Sequence, residues 1–183
     1  MHKSNDRYVI LTGGPGAGKT TLIRDLKERG YATAPEAGRA IIQNYQAING
    51  PALPWQNKAL FAELMLSWEL RSYGEAAEQE GIVFFDRGVP DVLGYFDLIG
   101  LPVPEHARQA AKLFRYNPSV FILPPWPEIF EQDAERRQTL EEAELTYRAL
   151  VNAYAQSGYD LVEVPRCSII ERADFILARL GGL

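Results

Sequence analysis

Tyr8-Val9-Ile10-Leu11-Thr12-Gly13-Gly14-Pro15-Gly16-Ala17-Gly18-Lys19-Thr20-Thr21 joins a short apolar, partly β-branched run to a glycine loop that ends in Gly-Lys-Thr. The apolar run reads as a buried strand. From Thr20 to Arg29, Leu22, Ile23 and Leu26 share one side with charges between them, and Gly30 supplies the usual C-terminal stop. Strand, glycine loop and helix is the context in which this motif holds phosphate. Gly13, Gly14, Pro15, Gly16, Ala17 and Gly18 allow a tight turn that brings successive N–H groups inward at the positive end of the helix. Lys19 places an ammonium on the outer phosphates, Thr20 offers its hydroxyl to Mg2+, and Thr21 continues the cradle into the helix. The expected ligand is a purine nucleoside triphosphate, ATP, with Mg2+.

Strands and helices alternate from that point onward. Tyr31 to Glu36 is a weaker strand candidate, Ala37 to Ile48 has helical spacing up to Asn49-Gly50-Pro51, and a long helix is expected over about 55–80. Ile82-Val83-Phe84-Phe85 is an unbroken apolar run ending at Asp86-Arg87-Gly88. The turn-rich region to Pro104 reads as loop and short helix, and His106 to Tyr116 as a further helix. Val120 to Leu123 is closed as a strand by Pro124-Pro125. A helix over Gln138 to Gln156, a strand over Asp160 to Val164, and a helix opened by Ser168 with Glu171 complete the chain. The expectation is an α/β fold with a parallel sheet and helices on both faces. One domain is expected over 1–183, with an acceptor-side helical region at about 37–80 and an arginine-bearing lid at about 126–138.

Composition narrows the function classes. The 183 residues carry a formal net charge of -5 and no long basic run, so nucleic acid is a poor partner. Cys167 is the only cysteine, which excludes an intramolecular disulfide and points to a reducing compartment. The N-terminal apolar run is too short for a secretory leader or a membrane span. A cytoplasmic protein, monomeric or homodimeric, is expected. Cys167, His2 and His106 have no spacing that suggests a zinc site or a thiol nucleophile.

In a doubly wound sheet the ligand lies beyond the C-terminal ends of the strands. Asp86 leaves a core strand there and is placed to hold the metal or take a proton from an acceptor hydroxyl. The alternative for Asp86 is a cap on the next helical turn. Arg87 is a candidate for phosphate or acceptor contact. Glu36 ends the second strand, where a carboxylate can bind a hydroxyl or act as general base; pairing with Arg39 is its structural alternative. Arg136 and Arg137 are candidates for a flap that neutralises the transferred phosphoryl oxygens and excludes water, with pairing to Asp133 and Glu135 as the alternative. Pro165 and Arg166 follow the last strand and are candidates for the adenine wall.

Together these residues resemble the P-loop nucleoside and nucleotide kinase group, and within it small bacterial ATPase or kinase proteins with an AAA domain. Gly13 to Thr20 is similar to the phosphate loop, Glu36 with Arg39 to the acidic position on the acceptor side, and Asp86-Arg87 to the Asp-Arg pair of deoxynucleoside and thymidylate kinases. Arg136-Arg137 resembles the lid arginines and Val164-Pro165 the adenine loop. The resemblance implies a five-stranded sheet of order 2-3-1-4-5. Gly88 departs from the pattern, because those kinases carry serine or tyrosine there. Phe85-Asp86-Arg87 also lacks the adjacent Asp-Glu of ring-forming AAA machines.

Three activities fit this reading. The first is transfer of the ATP γ-phosphoryl to a hydroxyl of a small nucleoside-like or ribosyl acceptor, with Lys19, Arg87 and Arg136 on the phosphates and Glu36 or Asp86 as base. The second is a regulatory ATPase acting on a protein partner, with Gly88 to Pro104 as a flexible switch. The third is a polynucleotide end kinase, which the net charge disfavours.

Overall fold

The computed structural model describes residues 5–129 and 139–181. Five strands, β1 (Tyr8–Gly13), β2 (Ala32–Ala34), β3 (Val83–Asp86), β4 (Ser119–Leu123) and β5 (Asp160–Glu163), form one sheet in the order β2-β3-β1-β4-β5. All neighbouring strands are parallel, with Leu11 opposite both Asp86 and Phe121. The helices are α1 (Lys19–Glu28), α2 (Ala37–Ala47), α3 (Lys58–Glu75), α4 (Val89–Leu98), α5 (Glu105–Leu113), α6 (Leu140–Gln156) and α7 (Ile169–Leu180).

Alternation of side chains along the strands builds the layers. Tyr8 and Ile10 of β1 and Val83 and Phe85 of β3 face a core shared with α3, α4, α5 and α6. Val9 and Leu11 of β1 and Phe84 of β3 face the opposite core, which is closed by Leu22 and Leu26 of α1 and Ala173 and Ile176 of α7. This is the three-layer α/β arrangement expected from the motif order. Burying one such side chain contributes about 1.5–3 kcal/mol. The phenylalanines at 84, 85 and 121 therefore fix the middle of the sheet more firmly than the alanines of β2 fix its edge.

Local signals explain most element ends. Gly30 closes α1 with a left-handed backbone, and Tyr31 N–H donates to the Leu26 carbonyl. Ser168 and Glu171 form a reciprocal cap on α7, and Thr139 with Glu142 does the same for α6. The long second-layer helix is shorter than expected: Asn57 caps its start by accepting from Leu60 N–H at 3.0 Å, and a 3-10 turn follows Glu75.

The region from Gly88 to Pro104, read as loop and short helix, contains that helix, but as a packed element rather than the flexible switch of the regulatory reading. Residues 89–98 form α4, whose Val89, Val92 and Phe96 are buried. Pro90 lies in the first turn, where its missing N–H costs nothing. Gly94 lets α6 approach, since a Cβ there would lie 3.1 Å from Leu150 Cδ2. Among the described residues, no helix is long and apolar enough to cross a membrane.

Candidate nucleotide and acceptor site

The glycine loop runs from the end of β1 into α1. Gly18 stands at the N-terminal end of α1 with φ 78, and no side chain caps that end. The first N–H groups of the helix therefore remain available to an anion. A Cβ at Gly18 would also come within 2.8 Å of Arg172 Nη1. Arg172, from α7, is buried behind the loop; its Nη2 donates to the Ala17 carbonyl at 2.9 Å and its guanidinium lies 5.4 Å from the Trp126 ring centre. Its Nε has no partner among the described residues, and burial lowers its pKa.

Lys19 is buried and its ammonium is ion-paired with the Asp86 carboxylate, bringing the first residue of α1 to the end of β3. Thr20 is exposed beside it. Lys19 and Asp86 are therefore in contact, and Thr20 follows Lys19 in the first turn of α1. Among the described residues no cluster of three or more His, Cys, Asp or Glu side chains forms a metal cage. The oxygen donors present, one hydroxyl and one carboxylate, suit Mg2+, which keeps several waters and completes its shell on phosphate.

Arg87 is the hub between the end of β3 and the helical region. Its φ of 78 is in the left-handed region, which costs a non-glycine residue about 1–3 kcal/mol and is concentrated at functional sites. Its N–H donates to the Leu11 carbonyl at 3.0 Å. Nε meets Glu36 at 3.2 Å and Nη1 meets Asp91 at 3.1 Å. Burial opposes its charge, but Glu36, Asp91 and Asp86 outweigh that cost and raise its pKa, so Arg87 stays protonated. Asp91, on α4, also accepts from Thr12 Oγ1 at 2.5 Å, from Gly88 N–H at 2.9 Å and from the Tyr154 hydroxyl. The departure at Gly88 has a steric reason: a Cβ there would lie 2.6 Å from Ile10 Cδ1 and 3.2 Å from Tyr116 Cζ.

Beside this hub a cavity of about 440 Å³ opens between Pro15 of the loop and the helical region. Glu36 and Ile42 line one wall, Phe61, Met65 and Glu69 of α3 another, and Tyr95 of α4 with Leu150 of α6 the remainder. Residues of the 37–80 region line this cavity, and α4 and α6 add walls that the sequence did not suggest. Glu69 is 4% exposed. Burial raises its pKa well above the usual carboxylate range, with Asp91 and Asp86 adding to the shift and Arg87 opposing it. The Tyr95 hydroxyl is buried without a partner among the described residues, and burial pushes its pKa up to about 12.

Other sequence candidates lie apart from this cavity or outside the described residues. Pro165 and Arg166 are exposed just past β5, outside the cavity lining. Arg136 and Arg137 lie outside the described residues. His106 is on the surface, with Nε2 2.9 Å from Glu63. Asp91, Glu69, Tyr95 and Arg172 were not singled out by sequence. Asp91 had a usable signal in its i,i+4 spacing from Arg87; Glu69 and Arg172 had one in being charges on otherwise apolar helix faces.

Solved structures with this fold include a deoxyadenosine kinase from M. mycoides with bound products, 15% identical, with a TM-score of 0.68 and coverage of 96% of this chain and 100% of that one. A NadR protein in complex with NR is 20% identical with a TM-score of 0.70 over 96% of this chain, which spans 50% of that protein's length. Shikimate kinase from Acinetobacter baumannii, in complex with shikimate, is 19% identical with a TM-score of 0.55, over 96% of this chain and 93% of that one. At these identities the likeness is one of fold. No curated protein matches the chain. Residues 8–172, from the first strand to the buried arginine behind the phosphate loop, match the AAA domain model, and the chain belongs to the AAA domain family.

Proposed function

We propose that this protein is an ATP-dependent kinase that phosphorylates a hydroxyl of a small nucleoside-like or ribosyl acceptor. The observation that carries the reading is a closed set of neighbours: the phosphate loop supplies Pro15 to the same cavity that Glu36, Arg87 and the helical region line. Donor and acceptor would then meet at one place, which removes most of the entropic cost of bringing them together.

In this reading Gly13 to Gly18 wrap the triphosphate, and Lys19 leaves Asp86 to bind the outer phosphates. Thr20 and Asp86 would hold Mg2+, whose charge offsets that building on the phosphates. The acceptor oxygen attacks the γ-phosphorus, the bond to the β–γ bridging oxygen breaks, and ADP departs with that electron pair. Of the two candidate bases, Glu36 lines the acceptor cavity whereas Asp86 lies outside its lining and would be engaged with Mg2+, so Glu36 takes the hydroxyl proton. Arg87, fixed by two carboxylates, steadies Glu36 and faces the phosphoryl group in flight. Arg136 and Arg137 would act from the lid and Thr21 from the first turn of α1. Pro165 and Arg166 would form the adenine wall. The AAA family assignment does not imply a ring; a cytoplasmic monomer or homodimer acting on a small molecule fits the charge and size. The regulatory-ATPase alternative has less support, because most of the segment it needed as a switch is the packed helix α4.

Incubation with γ-labelled ATP, Mg2+ and a fractionated metabolite extract tests the proposal. A labelled organic product is expected, and Glu36→Gln should lower its formation at least a hundred-fold with ATP affinity little changed. Release of label solely as free phosphate, whatever is added, would end the kinase reading.

A further inference from the structure

We propose that Glu69 is the specificity-determining residue of the acceptor cavity: its carboxyl hydrogen-bonds an O–H or N–H of the acceptor, and the cavity takes an uncharged nucleoside in preference to its 5′-phosphate. The inference rests on the kinase reading of the same site and names the charge class of its acceptor.

Three observations carry it. Glu69 is 4% exposed and lines the cavity, yet its carboxyl makes no hydrogen bond to a described residue. A buried carboxyl without a partner is costly to keep. Its neighbours along the buried face of α3 are Ala62, Leu66 and Ser72, so α3 brings this one acid inward to the cavity. The Tyr95 hydroxyl, also buried and unpartnered among the described residues, belongs to the same lining. A carboxyl with no hydrogen bond to a described residue, beside a buried tyrosine hydroxyl without a described partner, is what a lining looks like when a ligand supplies a missing partner.

The charge around the cavity selects further. Glu36, Glu69, Asp91 and Glu142 line it, and among the described lining residues Arg87 is the single cation. That cation is already held by Glu36 and Asp91. Among the described lining residues a phosphate or carboxylate on the acceptor would find no spare cation and would face Glu36, Asp91 and Glu142, whereas a hydroxyl or amide N–H would be received by the carboxyl groups. Ile42, Phe61, Met65 and Leu150 add an apolar surface suited to the body of a nucleoside. Glu69 thus reads the donor groups of the acceptor, and Glu36 lies at the hydroxyl that reacts.

The test compares the four ribonucleosides and the four 2′-deoxynucleosides with their 5′-monophosphates, each with ATP and Mg2+, by mass spectrometry of the products. The parent should phosphorylate at least one nucleoside and use its 5′-monophosphate at least a hundred-fold less well. Glu69→Met should lower kcat/KM for that nucleoside at least ten-fold through KM, with Tm equal to or above the parent's, and Glu69→Gln should recover part of the loss. A monophosphate used better than its nucleoside, no nucleoside used at all, or parent-level kcat/KM in the Met variant overturns the inference. A Met variant that melts below the parent marks a structural carboxyl and also counts against it. Phosphorylation of an anionic acceptor would leave the kinase reading intact while ending this one; label found only in free phosphate would end both.

Discussion

Replacing Asp91 with alanine removes the group that holds Arg87 beside the cavity. The Asp91 carboxylate, 6% exposed, receives Arg87, the Thr12 and Tyr154 hydroxyls and the Gly88 N–H. In the variant Arg87 keeps Glu36 alone, and two hydroxyls and one amide lose their acceptor. Each buried donor left unpaired costs about 1–3 kcal/mol, and breaking a buried ion pair by removing one partner costs about 3–5 kcal/mol. Water entering the space left by the side chain recovers part of this, so the lower of the two routes sets the expectation, a loss of about 3–5 kcal/mol. Against a total stability of about 5–15 kcal/mol for a protein of ordinary size, that is a large fraction. At about 2–4 °C per kcal/mol, Tm should fall by roughly 6–20 °C. Urea unfolding, with the slope m held constant between variants, gives the free energy directly. Asp97→Ala, on the exposed side of the same helix, serves as control and should change stability by no more than about 0.5 kcal/mol. An Asp91→Ala protein within about 1 kcal/mol of the parent would refute the view that this carboxylate organises Arg87 and its neighbours.

Two further predictions concern groups that the sequence did not single out. Arg172→Met leaves the Ala17 carbonyl without its guanidinium donor and should cost about 1.5–3 kcal/mol in urea unfolding, with ATP bound more weakly than by the parent; unchanged stability and affinity would show that the loop does not need support from behind. Glu69 has a folded-state pKa raised above its unfolded value, so the folded state holds the extra proton between the two. Its contribution is therefore most favourable below the ordinary carboxylate range and is lost as pH rises toward the raised value, with a slope of up to about 1.4 kcal/mol per pH unit. Denaturation of Glu69→Gln across that window should lack this slope, and equal pH profiles for the two proteins would contradict it.

The legibility of this chain divides along the distance over which each signal acts. Apolar runs ended by glycine or proline placed β1, β3 and β4, and the serine and glutamate three residues apart placed the start of α7, because these signals are local. The strand order agrees with the one implied by the resemblance to P-loop kinases; no run of residues states it. The stretch from Gly88 was legible as loop and short helix, but its packing was not, for a physical reason. Gly88, Pro90 and Gly94 have the composition of a turn, yet Pro90 starts a helix and the two glycines make room for Ile10, Tyr116 and Leu150.

At the site, Lys19, Glu36, Asp86 and Arg87 were legible because each stands at the loop or just past a strand end, where this kind of sheet puts its ligands. One partner of Glu36 was not: Arg87, 51 residues away, engages it. Asp91 and Tyr154 are 63 residues apart, and Arg172 and Ala17 are 155 apart, so their meeting is a property of the sheet order. Glu69 carried a weaker signal, a charge on an otherwise apolar face of α3, which becomes telling only once that face is known to be buried.

The account depends most on the glycine loop and Lys19 holding a triphosphate. Calorimetric titration of the protein with a non-hydrolysable ATP analogue and Mg2+ should give saturable one-to-one binding, weakened at least ten-fold by Lys19→Met and by chelating the metal. Absence of heat and of any thermal stabilisation with ATP or GTP, or equal binding by parent and Lys19→Met, would contradict it.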